Sequence, residues 1–303
     1  MGNMMIKTFI LMLFLIQSAL ANVSLNDQGI SAIYGKDDRF FVDKNSSPKI
    51  RELSKSIALI VSKNSVEKNI LFSRIHANNL DNPRGLNICQ DEKFAAHHSV
   101  DSCTGFLVAE NMLVTAGHCM KGQADCEGKL FAFNVQTSNE NKNGYKVLNK
   151  NVYECSEVVS NVFDTDGIHD YAVVRLKKKV FGKTPLKLRT KGFLSSKDQV
   201  FMIGHPLGLP LVATSNAFVK ETNQSHFFKA TLDSFEGNSG SPVFNSKTFE
   251  VEGILVRGEE DFVQDESRLC YQYQVYDQDS NKSPTKKGEG VTRISDILPF
   301  LSF

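Results

Sequence analysis

Residues 237–242 read Gly-Asn-Ser-Gly-Ser-Pro, a turn of small residues around one serine, Ser239. Glycine permits the tight backbone conformations of such a turn, so the N–H groups of Gly237 and Ser239 can converge on one point. A serine hydroxyl beside converging N–H groups suits acyl transfer, because those groups stabilise the negatively charged oxygen of the intermediate. Since Gly-x-Ser-Gly also occurs by chance, its meaning depends on the rest of the chain.

Two earlier segments supply a base and an acid for this serine. Residues 113–119 read Leu-Val-Thr-Ala-Gly-His-Cys, a strand that runs into a small-residue turn holding His118. Residues 170–176 read Asp-Tyr-Ala-Val-Val-Arg-Leu, in which Asp170 opens an apolar strand. Serine hydrolases need a base for the hydroxyl proton and a carboxylate that orients the base. Each segment alone is ordinary, but in the order His, Asp, Ser they predict a catalytic triad.

The same order argues against an α/β-hydrolase. In that fold the triad runs Ser, Asp, His, and the Gly-x-Ser-x-Gly elbow requires glycine where this chain has Ser241.

Short β-branched and aromatic runs between turn residues predict an all-β protein. These runs cover residues 57–61, 105–108, 113–115, 130–135, 171–176, 200–204, 227–232, 242–244, 251–256 and 271–276. Periodicity alone leaves a barrel and a two-sheet sandwich both open. Apolar residues at helical spacing predict a C-terminal helix over 291–301. Polar stretches predict surface loops at 137–151, 161–169 and 277–289.

The N-terminus has the pattern of a signal peptide. Lys7 precedes an apolar run at 9–16, and small residues at 19–21 predict cleavage after Ala21. A retained anchor is the alternative, but no run of 18 apolar residues follows, so we expect no stable membrane insertion after cleavage. Residues 22–55 read as an N-terminal arm or propeptide, and the protein is expected to be secreted or periplasmic.

Composition excludes some partners and favours disulfides. The 303-residue chain has 35 Lys plus Arg against 34 Asp plus Glu, so its charge does not indicate nucleic-acid binding. Six cysteines, an even number, suggest disulfides in an exported chain, and the absence of any Cys-x-x-Cys pair argues against zinc. The cysteines are Cys89, Cys103, Cys119, Cys126, Cys155 and Cys270.

Residues 115–119, 170–173 and 237–242 resemble the three signature segments of the trypsin-like serine protease family. The Asn before the serine and residues 203–210 resemble the bacterial branch around the glutamyl endopeptidases. The resemblance covers about residues 56–300. It implies two six-stranded antiparallel β-barrels of the chymotrypsin-like fold with a C-terminal helix. The first barrel would span about 56–185 and the second about 190–290.

By this resemblance His118 is the general base, Asp170 its orienting acid and Ser239 the nucleophile. The N–H groups of Gly237 and Ser239 would form the oxyanion hole. The implied activity is that of a serine endopeptidase on protein or peptide substrates, which requires no cofactor. We expect a monomer, and no run of alternating acidic ligands argues for structural calcium.

The resemblance also implies a disulfide between Cys103 and Cys119. The other four cysteines allow three pairings, and we take Cys126 with Cys155 and Cys89 with Cys270.

Two features depart from the family pattern. Asn238 stands where trypsin-like zymogens carry the aspartate that pairs with a new N-terminal amine, so activation by that ion pair is not expected. Residues 33–39 nevertheless resemble mature N-termini in the bacterial branch, and we hypothesise that residues 22–32 are removed.

Specificity rests on five candidate substrate-binding residues. Asp233 stands where trypsin-like enzymes keep the acid that binds Arg or Lys, while Arg257 is able to neutralise it. Leu255 replaces the histidine with which the glutamyl branch reads a Glu side chain, and Glu236 would repel an acidic one. Gly258 completes the group. Glutamyl specificity is disfavoured and basic specificity stays open.

Two other functions compete with proteolysis. One is a catalytically silent protein-binding module of the same fold, although such chains usually lose a triad residue. The other is a β-rich adhesin, which would have to contain three ordered matches by accident. We interpret four other histidines as surface or turn residues: His97, His98, His169 and His205.

Overall fold

The computed structural model describes residues 32–79, 86–164, 169–276 and 288–301. The predicted signal peptide and residues 22–31 of the arm lie outside them. The described residues form β1 (Ile33–Tyr34), β2 (Phe40–Phe41), β3 (Ile57–Ser62), β4 (Val66–Lys68), β5 (Phe72–His76), β6 (Asn78–Asn79), β7 (His98–Ser99), β8 (Ser102–Ala109), β9 (Met112–Thr115), β10 (Lys129–Phe133), β11 (Glu140–Asn141), β12 (Gly144–Leu148), β13 (Val152–Phe163), β14 (Asp170–Leu176), β15 (Gln199–Gly204), β16 (Val212–Ala213), β17 (Ala217–Glu221), β18 (Phe227–Ala230), β19 (Pro242–Asn245), β20 (Val251–Arg257), β21 (Phe262–Asp265), β22 (Cys270–Tyr273), β23 (Val275–Tyr276) and β24 (Glu289–Arg293).

Among the described residues, helices are few and short. They are α1 (Pro48–Ser54), α2 (Gln123–Gly128) and the 3-10 helices Lys63–Ser65, Gly117–Cys119, Thr137–Asn139, Asn149–Asn151, Pro206–Gly208 and Ile294–Phe300. In the described parts of the chain, no helix has the length and apolar character needed to traverse a bilayer.

The first barrel closes through six antiparallel strands in the order β10, β13, β14, β9, β8 and β3. Strand β3 reads Ile-Ala-Leu-Ile-Val-Ser and is buried on both faces. Ala58 and Ile60 face the barrel interior, while Leu59 and Val61 pack under a four-stranded sheet of β11, β12, β5 and β4. Burial on both faces explains why this strand is a continuous apolar run rather than an alternating one.

The second barrel is also a closed ring of six antiparallel strands. Strands β15, β17, β18, β24, β20 and β19 pair in that order, and β19 pairs back with β15. Strands β16 and β2 extend this sheet, so the N-terminal arm joins the second barrel through β2. The two six-stranded barrels confirm the predicted all-β fold and exclude the sandwich.

An apolar cluster joins the barrels and fixes the crevice between them. Phe106 and Val114 from the first barrel lie in one cluster with Ile203 and Ile254 from the second. Ile294, at the start of the C-terminal 3-10 helix, belongs to the same cluster. Each Å² of apolar surface buried in this cluster stabilises the fold by about 25 cal/mol. Because the cluster includes both barrels, its burial also stabilises their relative position.

Three sequence-based predictions of local structure were wrong in detail. The predicted C-terminal helix is present, but residue 291 lies in β24, and the helix is a 3-10 helix that begins at Ile294 and contains Pro299. The predicted loop at 137–151 contains β11 and β12, and β13 extends into the predicted loop at 161–169. Most of β13 is only partly buried, so polar side chains are tolerated on it and it lacks an apolar run.

All six cysteines are paired, as Cys89–Cys270, Cys103–Cys119 and Cys126–Cys155. These are the three pairs expected from the sequence. Disulfides persist in oxidising compartments, so they indicate a protein that functions outside the cytosol.

Candidate active site

His118 and Asp170 meet at the ends of two paired strands of the first barrel. His118 lies in the 3-10 turn Gly117–Cys119 after β9, and Asp170 opens β14, which pairs antiparallel with β9. The His118 Nδ1 atom lies 2.7 Å from Asp170 Oδ2, and the His118 backbone N–H donates to Oδ1 at 3.0 Å. The Asp170 side chain is only 1% exposed. A buried carboxylate with both oxygens engaged fixes the imidazole, with Nδ1–H as donor and Nε2 as the basic atom.

Asn161, which the sequence analysis did not single out, holds the histidine turn in position. Its side-chain N–H₂ group on β13 donates to the backbone oxygens of Gly117 at 2.8 Å and Met120 at 2.9 Å. The residue lies in the segment predicted as a loop, so no local motif marks it. Asn161 is a positioning residue, because it acts on His118 only through the backbone of the turn.

Thr104 of β8 connects the serine turn to the first barrel. Its backbone N–H donates to the Ser239 carbonyl at 2.8 Å, and its hydroxyl donates to the Gly237 carbonyl at 2.9 Å. The Sγ of Cys119, next to His118 in sequence, lies 3.8 Å from the same Ser239 oxygen. These contacts place the serine turn of the second barrel next to the histidine turn of the first. Thr104 had no signal in the sequence, because its partners belong to the other barrel.

The serine turn presents two unused backbone donors. Gly237 and Gly240 adopt positive φ angles of 91° and 89°, which shape the turn on either side of Ser239. The Asn238 N–H donates to the Phe235 carbonyl at 3.1 Å. Among the described residues, the N–H groups of Gly237 and Ser239 have no hydrogen-bond acceptor. Donors of this kind are what a developing oxyanion requires.

Gly240 has no room for a side chain. A Cβ at this position would collide with the Thr104 carbonyl oxygen and the Thr115 hydroxyl, and its φ of +89° is unfavourable for any side chain. Gly240→Ala is expected to lower the free energy of unfolding by more than about 2 kcal/mol. Urea unfolding measures this. Gly128→Ala is the matched control, because a Cβ there meets no atom within 4 Å; equal effects of the two substitutions would contradict the packing argument.

Asn238 lies inside the serine turn and is 1% exposed. Its Nδ2 donates to the Ser234 hydroxyl at 3.0 Å, and its Oδ1 accepts from the Ser241 hydroxyl at 3.4 Å. The side chain is thus held by neighbouring serines of its own loop.

Asp233 is buried beneath this loop, where the N-terminal arm binds it. One carboxylate oxygen accepts from the Tyr34 N–H at 2.7 Å and the other from the Asp38 N–H at 3.1 Å. Burial raises the pKa of Asp233 to about 7, although the two backbone donors favour its ionised form. Both oxygens are therefore already engaged by the arm.

The other candidate specificity residues lie along β20 and in the serine turn. Leu255 exchanges backbone hydrogen bonds with Gly240 and Ser241, but its side chain packs in the core of the second barrel. The Glu236 N–H donates to Asp261 Oδ2 at 3.0 Å. Arg257 ends β20, Gly258 follows it, and both are half-buried.

His205, expected at a surface or turn, lies in a turn that is fully buried. Its Nδ1 lies 2.8 Å from the Leu209 carbonyl, and Nε2 has no hydrogen-bond partner among the described residues. Burial lowers the pKa of His205 to about 4, because a proton on Nε2 would be a charge without an acceptor.

The burial of His205 in its neutral form should make the fold less stable in acid. The ordinary histidine pKa is about 6.5, so between pH 6.5 and 4 the unfolded chain binds a proton that the folded chain does not. The His205 contribution therefore destabilises the fold as the pH falls, by on the order of 3 kcal/mol in total. His205→Asn keeps an N–H donor toward Leu209 but does not titrate. Urea unfolding from pH 4 to 8, in a Ser239→Ala background, should give a flatter curve for the variant; parallel curves would refute this assignment.

Among the described residues, two groups each contain three side chains that could bind one metal ion. In the first, Cys103, His118 and Cys119, the cysteines form a disulfide and so offer no thiolate. The second consists of His169, His226 and Asp296.

The chain is similar to known proteins in sequence and in fold. The family model of the trypsin-like peptidase domain matches residues 103–254, half of the chain. Exfoliative toxin A of Staphylococcus aureus is 28% identical over 152 residues, which cover 48% of this chain and 52% of the toxin. The chain thus matches about half the length of this curated relative.

A solved structure of a Glu endopeptidase in complex with MPD is similar in fold. It superimposes with a TM-score of 0.51 at 16% sequence identity, covering 88% of this chain and 96% of that one. At this identity the likeness supports the two-barrel fold. Since the matched family segment contains His118, Asp170 and Ser239, the chain belongs to the trypsin-like peptidase family.

Proposed function

We propose that the protein is an exported serine endopeptidase that hydrolyses peptide bonds through His118, Asp170 and Ser239. The observation that carries this proposal is the bond between His118 Nδ1 and the buried Asp170 carboxylate, at 2.7 Å. This bond leaves Nε2 free to act as the base, and the serine turn is held near the histidine turn by the Thr104 N–H, which donates to the Ser239 carbonyl at 2.8 Å.

In the proposed reaction, the Ser239 Oγ attacks the carbonyl carbon of the scissile bond while His118 Nε2 takes the hydroxyl proton. The carbonyl oxygen becomes an oxyanion and accepts hydrogen bonds from the N–H groups of Gly237 and Ser239. Asp170 stabilises the imidazolium formed in this step without itself taking the proton.

Collapse of the intermediate breaks the C–N bond, and His118 donates its proton to the leaving amine. Ser239 is then an ester of the acyl fragment. A water molecule gives a proton to His118 and attacks this ester, and the returning proton restores the Ser239 hydroxyl as the acid product leaves.

We further propose that P1 residues with acidic side chains are poor substrates. The Asp261 carboxylate accepts from the Glu236 N–H at 3.0 Å, so it lies at the start of the serine turn, and Glu236 adds a second acidic residue to the same segment. Leu255 has no imidazole that would bind the carboxylate of an acidic P1 side chain. Selection for Arg or Lys by Asp233 is a separate proposal, and it requires the arm to release at least one Asp233 oxygen.

Export through the signal peptide and removal of residues 22–32 complete the proposed function. The three disulfides support export. In the intact chain the Ala32 carbonyl accepts from the Ser234 N–H at 3.0 Å and Ile33 is buried, so the new terminus would lie close to Asp233. N-terminal sequencing of the secreted protein should give Ile33; a start at Asn22 would refute the removal.

A peptide-library digest tests the proposed activity. The purified, processed protein should cleave peptide bonds, and Ser239→Ala should not. The P1 residues of the products report specificity, and a preference for Glu would contradict the proposed exclusion of acidic residues. If the processed protein leaves every peptide intact, the silent binding module becomes the better account.

A further inference from the structure

We propose that His169, His226 and Asp296 form a zinc-class metal site that connects the two barrels beside the catalytic acid. The three residues come from separate parts of the fold. His169 immediately precedes β14 of the first barrel, and His226 immediately precedes β18 of the second. Asp296 lies in the C-terminal 3-10 helix Ile294–Phe300.

The distances between the ligand atoms suit a tetrahedral ion. One ligand atom from each residue lies within 4.8 Å of the others. His226 Nδ1 is 3.1 Å from Asp296 Oδ2, and His169 Nε2 is 4.0 Å from the same oxygen. Zinc bonds of about 2.0–2.1 Å in a tetrahedron place ligand atoms about 3.3 Å apart. Small side-chain movements therefore bring all three atoms to a common centre.

Asp164 prepares His169 for this role. The His169 Nδ1 atom lies 2.7 Å from Asp164 Oδ2, so Nδ1 carries the proton and Nε2 offers its lone pair toward Asp296. Carboxylate–histidine pairs of this kind orient the histidine ligands of zinc sites and raise their basicity.

The surrounding charges favour a cation. Two carboxylates, Asp164 and Asp296, lie in contact with the two imidazoles. Arg293 also attracts the Asp296 carboxylate electrostatically, but its guanidinium donates to the backbone oxygens of Gln224 and Thr222, and the two carboxylates outnumber this one cation. Asp296 is 11% exposed, while His169 and His226 are 29% and 43% exposed, so water has access as a fourth ligand.

Ligand chemistry selects the class of metal. Imidazole nitrogen with one carboxylate suits Zn²⁺, whereas Ca²⁺ prefers six to eight oxygen ligands. An ion that binds only the folded chain stabilises it, and here it would tie His169, the residue before Asp170, to the second barrel. Only the folded chain brings the two histidines together, because they are too far apart in sequence to form a local metal-binding motif.

Calorimetric titration of ZnCl₂ into chelator-treated Ser239→Ala protein tests the site without autolysis. We expect one Zn²⁺ per chain, a higher melting temperature with Zn²⁺, and no comparable effect of CaCl₂. His226→Ala, in the same background, should weaken Zn²⁺ binding at least about 10-fold and abolish the rise in melting temperature. Asp296→Asn provides a second variant, and melting without metal verifies that each variant folds.

His97→Ala is the matched control, because His97 and His98 also face one carboxylate, that of Glu140, at 2.7 and 2.8 Å. Its Zn²⁺ affinity should equal that of the parent. The proposal is overturned if the parent binds no Zn²⁺ at 100-fold excess, if Ca²⁺ binds equally well, or if His226→Ala and Asp296→Asn bind Zn²⁺ as tightly as the parent.

Discussion

Ser239→Ala is expected to reduce kcat for peptide hydrolysis by about 10⁶-fold, because it removes the atom that forms the acyl-enzyme. Its effect on folding should be small, since the hydrogen bonds that hold this residue use its backbone: the Thr104 N–H donates to the Ser239 carbonyl at 2.8 Å. Initial rates on a peptide substrate measure the loss, and thermal melting verifies the fold.

The three triad residues should act as a unit, and a double variant tests this. Once Ser239 is absent, the base has no nucleophile to activate, so the double variant His118→Ala/Ser239→Ala should be no slower than Ser239→Ala. Ser156→Ala, an exposed serine on β13, is the control and should keep full activity. Additive losses in the double variant would contradict a shared mechanism.

Asp170→Asn is expected to lower kcat by about 10⁴-fold with little change in KM. The carboxylate accepts two N–H groups of His118, from the backbone at 3.0 Å and from Nδ1 at 2.7 Å. An amide that still accepts from the backbone N–H must direct its own N–H₂ group at Nδ1. The imidazole then carries its proton on Nε2, so Nε2 has no free lone pair to accept the Ser239 proton.

Glu140→Gln is the control for this change, since Glu140 also accepts from imidazole nitrogens, those of His97 and His98, outside the catalytic crevice. It should leave kcat and KM unchanged. If Asp170→Asn retained more than about a tenth of the wild-type kcat, the role of Asp170 as the orienting acid would be wrong.

The three segments of the candidate active site could be identified in the sequence because their signals are local. Residues 115–119, 170–173 and 237–242 each combine a reactive side chain with the strand or turn that positions it. Their order along the chain then separated this fold from others with the same chemistry. The barrel strands with buried faces were predicted for a similar reason, since burial requires apolar runs.

The residues that support the triad were not predicted, because they act across the fold. Thr104 joins the serine turn of the second barrel to β8 of the first, and Asn161 reaches the histidine turn from β13. A threonine in an apolar strand and an asparagine in a polar stretch are ordinary in sequence. The partners that make them important are distant residues, which only the folded barrels bring into contact.

The C-terminal segment shows how a periodic pattern can mislead. Apolar positions 291, 294, 297, 298 and 301 fit the spacing of an α-helix. However, Val291 belongs to β24 and pairs with Phe228 of β18, and the 3-10 helix begins three residues later. A strand followed by a 3-10 turn produced the same spacing. Pro299 lacks a backbone N–H and is compatible with the short 3-10 helix, whereas it would disrupt an α-helix interior.

Labelling with a fluorophosphonate probe tests the central claim most directly, because the probe reacts only with a serine whose hydroxyl is activated. The processed wild-type protein should carry one adduct, mapped to Ser239 by mass spectrometry. Labelling should be lost in Ser239→Ala and in His118→Ala, and retained in Ser156→Ala. An unlabelled wild-type protein, or an adduct that persists in His118→Ala, would contradict the assignment of His118, Asp170 and Ser239 as a working triad.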